Sequence, residues 1–207
     1  MQDFKVQLQD ALSKPLPGAS AQYMMAHVGR ERAPIPPAHA RQAAVMALFF
    51  PRENDWHLAF IQRKNDNPND KHGGQISFPG GKKDPTDPDL SYTALRETEE
   101  EIGISMQDIH LAGELTELYI PVSNFLVKPF VGMLQHTPVF SLQEQEVASL
   151  LQVPFSVFLD SSTRQWTDLP IAQHIVLKNV PHFRVGDHII WGATAMMLNE
   201  LLAVLKD

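Results

Sequence analysis

The feature that most constrains this chain is the octet Arg96-Glu97-Thr98-Glu99-Glu100-Glu101-Ile102-Gly103, an acid-rich stretch that closes on a glycine. The preceding Asp87-Pro88-Asp89-Leu90 has the chemistry of a helix start: Asp87 as an oxygen-bearing cap, proline in the first turn, and a second acid near the positive dipole end. Gly103 is the predicted stop. Three-and-four spacing puts Leu95, Thr98 and Ile102 on a face that meets a sheet, and Glu97, Glu100 and Glu101 on another. Like charges at helical spacing cost about 0.2 to 0.5 kcal/mol per exposed pair, so packing alone does not select such a stripe. A hard divalent cation, Mg²⁺ or Mn²⁺, removes the cost because carboxylate oxygens are its preferred ligands. The bland alternative is a solvated glutamate-rich helix paired with scattered lysines and arginines. Five residue types fixed at this spacing arise by chance in on the order of one chain in 10,000, which favours the metal reading.

Arg96 carries a rigid fork of donors suited to holding a carboxylate by paired hydrogen bonds, and it is assigned an orienting role. Glu99 lies off the stripe and is expected in solvent. Upstream, Phe78-Pro79-Gly80-Gly81-Lys82 holds a glycine pair able to bend sharply and bring a backbone carbonyl, that of Gly81, toward the same metals. Arg63, Lys64, Lys71, Lys82 and Lys83 surround this segment as candidate phosphate contacts, against the alternative of solvated loop lysines. His72 and Gln75 offer ring and amide donors to a substrate, or else bond the local backbone.

A length of 207 residues suits one compact domain with a modest extension. Residues 1–37 are expected to form an N-terminal helix, with Phe4, Leu8 and Leu12 in helical register, followed by a proline-rich connector; residues 38–207 form the main domain. Within it, the apolar run at 42–50 and the stretch 57–62 flank a turn signal and are predicted to be a strand pair. Further strands are expected over 111–118, 126–134 and 174–180, with a hairpin at Gly186-Asp187 and a last helix over 193–205. The absence of cysteine removes disulfides and thiolate chemistry. A formal net charge of -7 argues against nucleic-acid or anionic-membrane binding. No apolar run approaches the roughly 18 residues of a spanning segment, and the default location is cytoplasmic.

Together these residues resemble the Nudix box, written Gly-x5-Glu-x7-Arg-Glu-apolar-x-Glu-Glu-x-Gly-apolar, with Gly81 and 96–104 matching it. Asp87 stands where the first glutamate is expected, one extra residue precedes Arg96, and Thr98 replaces an apolar residue. The same departures look like the coenzyme A pyrophosphatase branch, whose Gly-Gly-Lys-x-Asp-Pro-x-Asp and His-x-Gly-Gln-x-Ser-Phe-Pro-Gly-Gly segments are matched at 80–87 and 72–81. That branch carries an arginine where this chain has Asp70.

The resemblance implies an α/β fold, the Nudix α/β/α sandwich around a central mixed β-sheet. It implies metal held by Glu97, Glu100, Glu101 and the Gly81 carbonyl, with substrate contacts from Arg63, Lys71, His72, Gln75 and Lys82. The catalytic set would be Arg96, Glu100, Glu101 and Glu146, the base being Glu100, Glu101 or a later acid such as Glu144 or Glu146. The expected reaction is metal-dependent cleavage of coenzyme A or acyl-CoA to 3′,5′-ADP and 4′-phosphopantetheine. Other readings are a pyrophosphatase for ADP-ribose, NADH or dinucleoside polyphosphates, and a non-catalytic nucleotide-sensing module. The partner is a small nucleotide, with homodimerisation left open.

Overall fold

A computed structural model describes residues 2–27, 33–66, 72–172 and 175–206. Lys71 and Asp70 lie outside these residues, as does the first residue of the strand expected at 174–180.

The apolar run becomes β1 (Arg41–Arg52), joined through a tight turn to antiparallel β2 (Asp55–Arg63). Its continuous hydrophobicity has a simple cause: successive side chains point to opposite faces, and both faces are covered. Ala43, Ala47 and Phe49 enter one buried cluster, while Ala44, Met46, Leu48 and Phe50 enter the other. β7 (Phe125–Met133) runs parallel to β1, whereas the pairings of β1 with β2 and of β7 with β5 (His110–Glu114) are antiparallel, so the sheet is mixed. Short β3 (Ile76–Ser77) and β4 (Gly80–Lys82) pair with β2 and β1, β6 (Leu118–Ile120) with β7, and β8 (Val147–Pro154) with β2.

Helix α3 (Leu90–Ile102) covers one face through Ala94 and Ile102. The other face is covered by α5 (Gly192–Val204), short α4 (Phe155–Leu159) and the N-terminal α1 (Gln2–Ser13). From α1, Leu8 is fully buried and Phe4 packs against Phe49, Trp56 and Phe155 at centroid distances of 5.3 to 5.8 Å. A short α2 (Ala19–Gln22) docks on α5 through a buried carboxylate. Glu200 accepts from the Gly18 N–H, the Thr116 N–H and Gln22 Nε2, at 3.2, 3.2 and 2.7 Å.

Two expectations change. The stretch 111–118 is not one strand: β5 ends at Glu114, Leu115 turns its N–H to the Pro129 carbonyl at 2.9 Å, and β6 begins at Leu118. A separate three-stranded sheet of β9 (Arg164–Ala172), β10 (Ile175–Val185) and β11 (His188–Trp191) surrounds the expected Gly186 hairpin. Among the described residues no helix is long and apolar enough to cross a membrane.

Candidate functional site

The segment 78–81 is fixed from below. Phe78 is buried and stacks on Phe60 at 4.8 Å, and the Pro79 carbonyl accepts from the Met46 N–H at 2.8 Å. β4 then lies against β1, and its two glycines have close neighbours where a side chain would begin. At Gly80, whose φ is 147°, a Cβ would strike the Ala44 carbonyl and the Val45 backbone. At Gly81 it would come 2.5 Å from Glu97 Oε2. Gly80 is therefore a steric requirement of the backbone, while Gly81 leaves the space in which α3 lays the Glu97 carboxylate on the turn.

Helix α3 begins one turn element later than the sequence suggested. Its cap is Asp89, whose Oδ1 accepts from the Tyr92 N–H at 2.9 Å. Asp87 instead is buried and takes a two-bond fork from Arg96: Nε to Oδ1 and Nη2 to Oδ2, both 3.0 Å. It also accepts from Thr93 Oγ1 at 2.9 Å and from the Asp84 N–H at 2.9 Å. The Arg96 guanidinium holds the Asp87 carboxyl far below the usual carboxylate range, despite burial. Thr98 fits an apolar position because its hydroxyl turns back to the Ala94 carbonyl at 2.6 Å. Gly103 ends the helix in the left-handed region, φ 71°, where a Cβ would press on Ser141.

The three glutamates do not stand as one exposed row. The Glu101 side chain is 3% exposed, that of Glu97 15% and that of Glu100 57%, so the first two face the glycine turn and the third faces solvent. Arg96 links Glu97 and Glu100, with Nη2 2.9 Å from Glu97 Oε1 and Nη1 donating to Glu100 Oε2 at 3.0 Å; Nη2 also reaches the Lys82 carbonyl at 3.3 Å. Glu99, expected in solvent, is half-buried.

Glu101 Oε2 accepts from the Gly80 N–H at 2.8 Å, while Arg63 Nη1 stands 3.9 Å from Oε1. Burial pushes the Glu101 carboxyl up to about 8; the charges of Glu97 and Glu146 push the same way, and the Gly80 bond and Arg63 only partly offset them. Burial also raises Glu97, against the pull of Arg96. Glu146 reaches this field because its loop is tied to the helix end: the N–H groups of Ser141 and Gln143 donate to the carbonyls of Ile102 and Glu101, both 3.0 Å.

Of the residues singled out from sequence, Arg63, Gly81, Arg96, Glu97, Glu101 and Glu146 come together. His72 and Gln75 contact each other at 3.3 Å on the turn that brackets the Arg63 backbone. Lys82 contributes its carbonyl to Arg96, and its side chain is exposed at a neighbouring cleft. Glu144 is exposed. Among the described residues no three acid or imidazole side chains are already closed around one point. The donor chemistry nevertheless fits a hard cation: two repelling carboxylates, largely withdrawn from water, share a wall of backbone that no side chain blocks.

Sheet, glycine turn and acid-bearing helix together define a Nudix-type sandwich. The NUDIX domain family model matches residues 40–168, and the chain belongs to that family. It is 37% identical over 164 residues to the uncharacterized Nudix hydrolase NudL of Yersinia enterocolitica, covering 79% of this chain and 81% of the relative. NudL of Photorhabdus laumondii is 37% identical over 132 residues, 63% of this chain and 68% of that one. Among solved structures, the MutT/nudix family protein from Enterococcus faecalis aligns with a TM-score of 0.55 at 13% identity, over 94% of this chain and 76% of that chain. At that identity the likeness speaks to the fold alone.

Proposed function

We propose that this Nudix hydrolase is a divalent-metal-dependent pyrophosphohydrolase that cleaves coenzyme A or acyl-CoA to 3′,5′-ADP and (acyl-)4′-phosphopantetheine. The observation that carries the hydrolytic part is the buried Glu101 carboxyl, fixed by the Gly80 N–H beside Glu97, with Arg63 at 3.9 Å. Glu97 and Glu101 would hold Mg²⁺ or Mn²⁺, joined by the Gly81 carbonyl and by Glu100 once it leaves Arg96. When bound, the metal screens the diphosphate charge and makes water a stronger nucleophile.

The chain's own residues supply the rest. Asp87 fixes the Arg96 fork, and Arg96 in turn sets the angle of Glu97. Water adds in line to one phosphorus, the bridging P–O bond breaks, and the second phosphate departs as an anion. With Glu97 and Glu101 engaged, the proton of the attacking water falls to Glu146, whose charge is felt at both; Glu100 is the other candidate. Arg63, Lys71, His72, Gln75 and Lys82 bind phosphate or nucleoside.

The coenzyme A assignment rests on the segments 72–81 and 80–87. The second of these closes as a turn, with the Asp87 N–H bonded to the Asp84 carbonyl at 3.0 Å and Thr86 to Asp84 Oδ1. The test is to incubate the protein with coenzyme A, acetyl-CoA, ADP-ribose, NADH and diadenosine tetraphosphate, with Mg²⁺ or Mn²⁺, and to identify products by mass spectrometry. Coenzyme A and its thioesters turn over best if the assignment holds. Cleavage of ADP-ribose alone overturns the substrate, and no cleavage with either metal leaves a nucleotide-sensing module.

A further inference from the structure

Beside the glycine turn lies a cleft of about 540 Å³, of whose lining the proposed function uses only Lys82. One wall is the connector, through Pro36, Pro37 and Ala38; the opposite wall is the end of β4 and the turn after it, through Lys82, Lys83 and Pro85. The floor is the start of β1, where Arg41 and Gln42 meet Leu126 of β7. The cleft starts one residue from Gly81, and the Lys83 N–H donates to the Gln42 carbonyl at 3.0 Å, which ties its two sides together.

Its charge is lopsided. Arg41, Lys82 and Lys83 line it against a single acid, Asp84, whose Oδ1 is occupied by the Thr86 N–H and hydroxyl at 2.9 and 2.7 Å. No carboxylate lies within ion-pair distance of Lys82, Lys83 or Arg41 among the described residues. The Arg41 guanidinium is braced at the edge of the cleft: it stacks over the Phe125 ring at 4.0 Å, and Nη2 donates to the Ser123 carbonyl at 2.6 Å. In a chain of net charge -7, three cations around one concave surface point to an anionic ligand. The remaining lining, three prolines, two alanines and a leucine, gives apolar ring and methyl surface suited to a flat base.

We infer that this cleft binds the adenosine end of the substrate and that Arg41, Lys82 and Lys83 receive a phosphomonoester on its ribose, in the 3′ position. The diphosphate at Glu97 and the base between the prolines then follow from adjacency. The identity of the natural ligand rests on the coenzyme A reading, but the chemistry of the cleft is tested apart from it.

The binding arm titrates the protein in a calorimeter with adenosine 3′,5′-bisphosphate and with adenosine 5′-monophosphate. The kinetic arm compares kcat/KM for coenzyme A against dephospho-coenzyme A, and for NADPH against NADH. The bisphosphate is expected to bind tighter by about tenfold or more, the scale of one charge-assisted contact, with a similar preference for coenzyme A. Arg41→Ala and Lys83→Ala each move these ratios toward one. Equal affinities in the unmodified protein, or ratios that neither variant moves, overturn the inference. A preference seen only for NADPH over NADH overturns the 3′ assignment. If neither coenzyme A nor dephospho-coenzyme A is cleaved, the coenzyme A reading fails, while the calorimetric ratio still decides what the cleft holds.

Discussion

The carboxylate of Glu97 lies directly on the Cα of Gly81, so that a methyl group at that position would sit 2.5 Å from Oε2. Gly80, one residue earlier, is hemmed in by backbone instead, at φ 147°. Neighbouring glycines thus serve different ends. Gly81→Ala displaces a side chain at the site and should lower kcat/KM by about 100-fold or more while the thermal midpoint falls little. Gly80→Ala meets immovable backbone in strained φ and should cost stability, about 2 kcal/mol or more. Paired activity and melting measurements check the split; an equal effect of both variants on both readouts would contradict it.

The Asp87–Arg96 fork predicts an acid-side dependence of stability. Arg96 lowers the folded pKa of Asp87 from an ordinary 3.8. The pair's contribution is therefore complete above that ordinary value and fades as pH falls below it toward the folded value. Asp87→Asn leaves the Arg96 charge without its main partner and should destabilise by about 3 kcal/mol at neutral pH. Below about pH 3 the gap between variant and parent should narrow. Denaturant titrations at both pH values decide; a gap that stays constant argues that Asp87 acts through shape alone.

Glu101 predicts the opposite sign. Its folded pKa of about 8 exceeds the ordinary 4.5, so the metal-free fold holds its proton, and stability declines as pH rises from 4.5 through 8. In protein stripped with a chelator, Glu101→Gln should match the parent near pH 5 and exceed its stability by at least about 2 kcal/mol near pH 9. The same variant should abolish hydrolysis. Parent and variant curves that run parallel across this range would show that Glu101 is charged throughout.

Metal addition supplies a readout separate from turnover. A divalent ion must displace the Glu101 proton, so Mn²⁺ should raise the melting temperature of the parent more at about pH 8 than at about pH 6. Glu97→Gln and Glu101→Gln should each remove most of that rise. Retention of the full shift in both variants would place the ion elsewhere.

How much of this is legible in sequence depends on where the deciding partner lies. The α3 stop at Gly103 and the two-faced strand β1 are encoded locally, by a left-handed glycine and by an apolar run longer than a one-sided strand can use. The cap was not: Asp87 and Asp89 both satisfy the local rules, and the choice is made by Arg96, nine residues from Asp87, reaching back to claim the first. The unequal burial of the three glutamates escapes the sequence for a related reason. Helical spacing groups Glu97, Glu100 and Glu101, but only the position of β4 determines which two meet the turn. Strand β9 gave little pattern because Asp168 and Pro170 interrupt it, and its pairing with β10 is itself irregular.

The buried Glu200 sets a limit on how this protein can be trimmed. The family model covers 40–168, yet the Glu200 carboxyl on α5 lies outside that stretch, as do two of its three described donors, from Gly18 and Gln22; the third, Thr116, lies within it. Cutting away the first 39 residues would leave a buried polar side chain with two of its three described donors gone, and cutting after 168 would strip the wall that α5 provides. The portable unit is therefore larger than the recognisable one, and a crystallographer or enzymologist designing a shortened version should keep both ends.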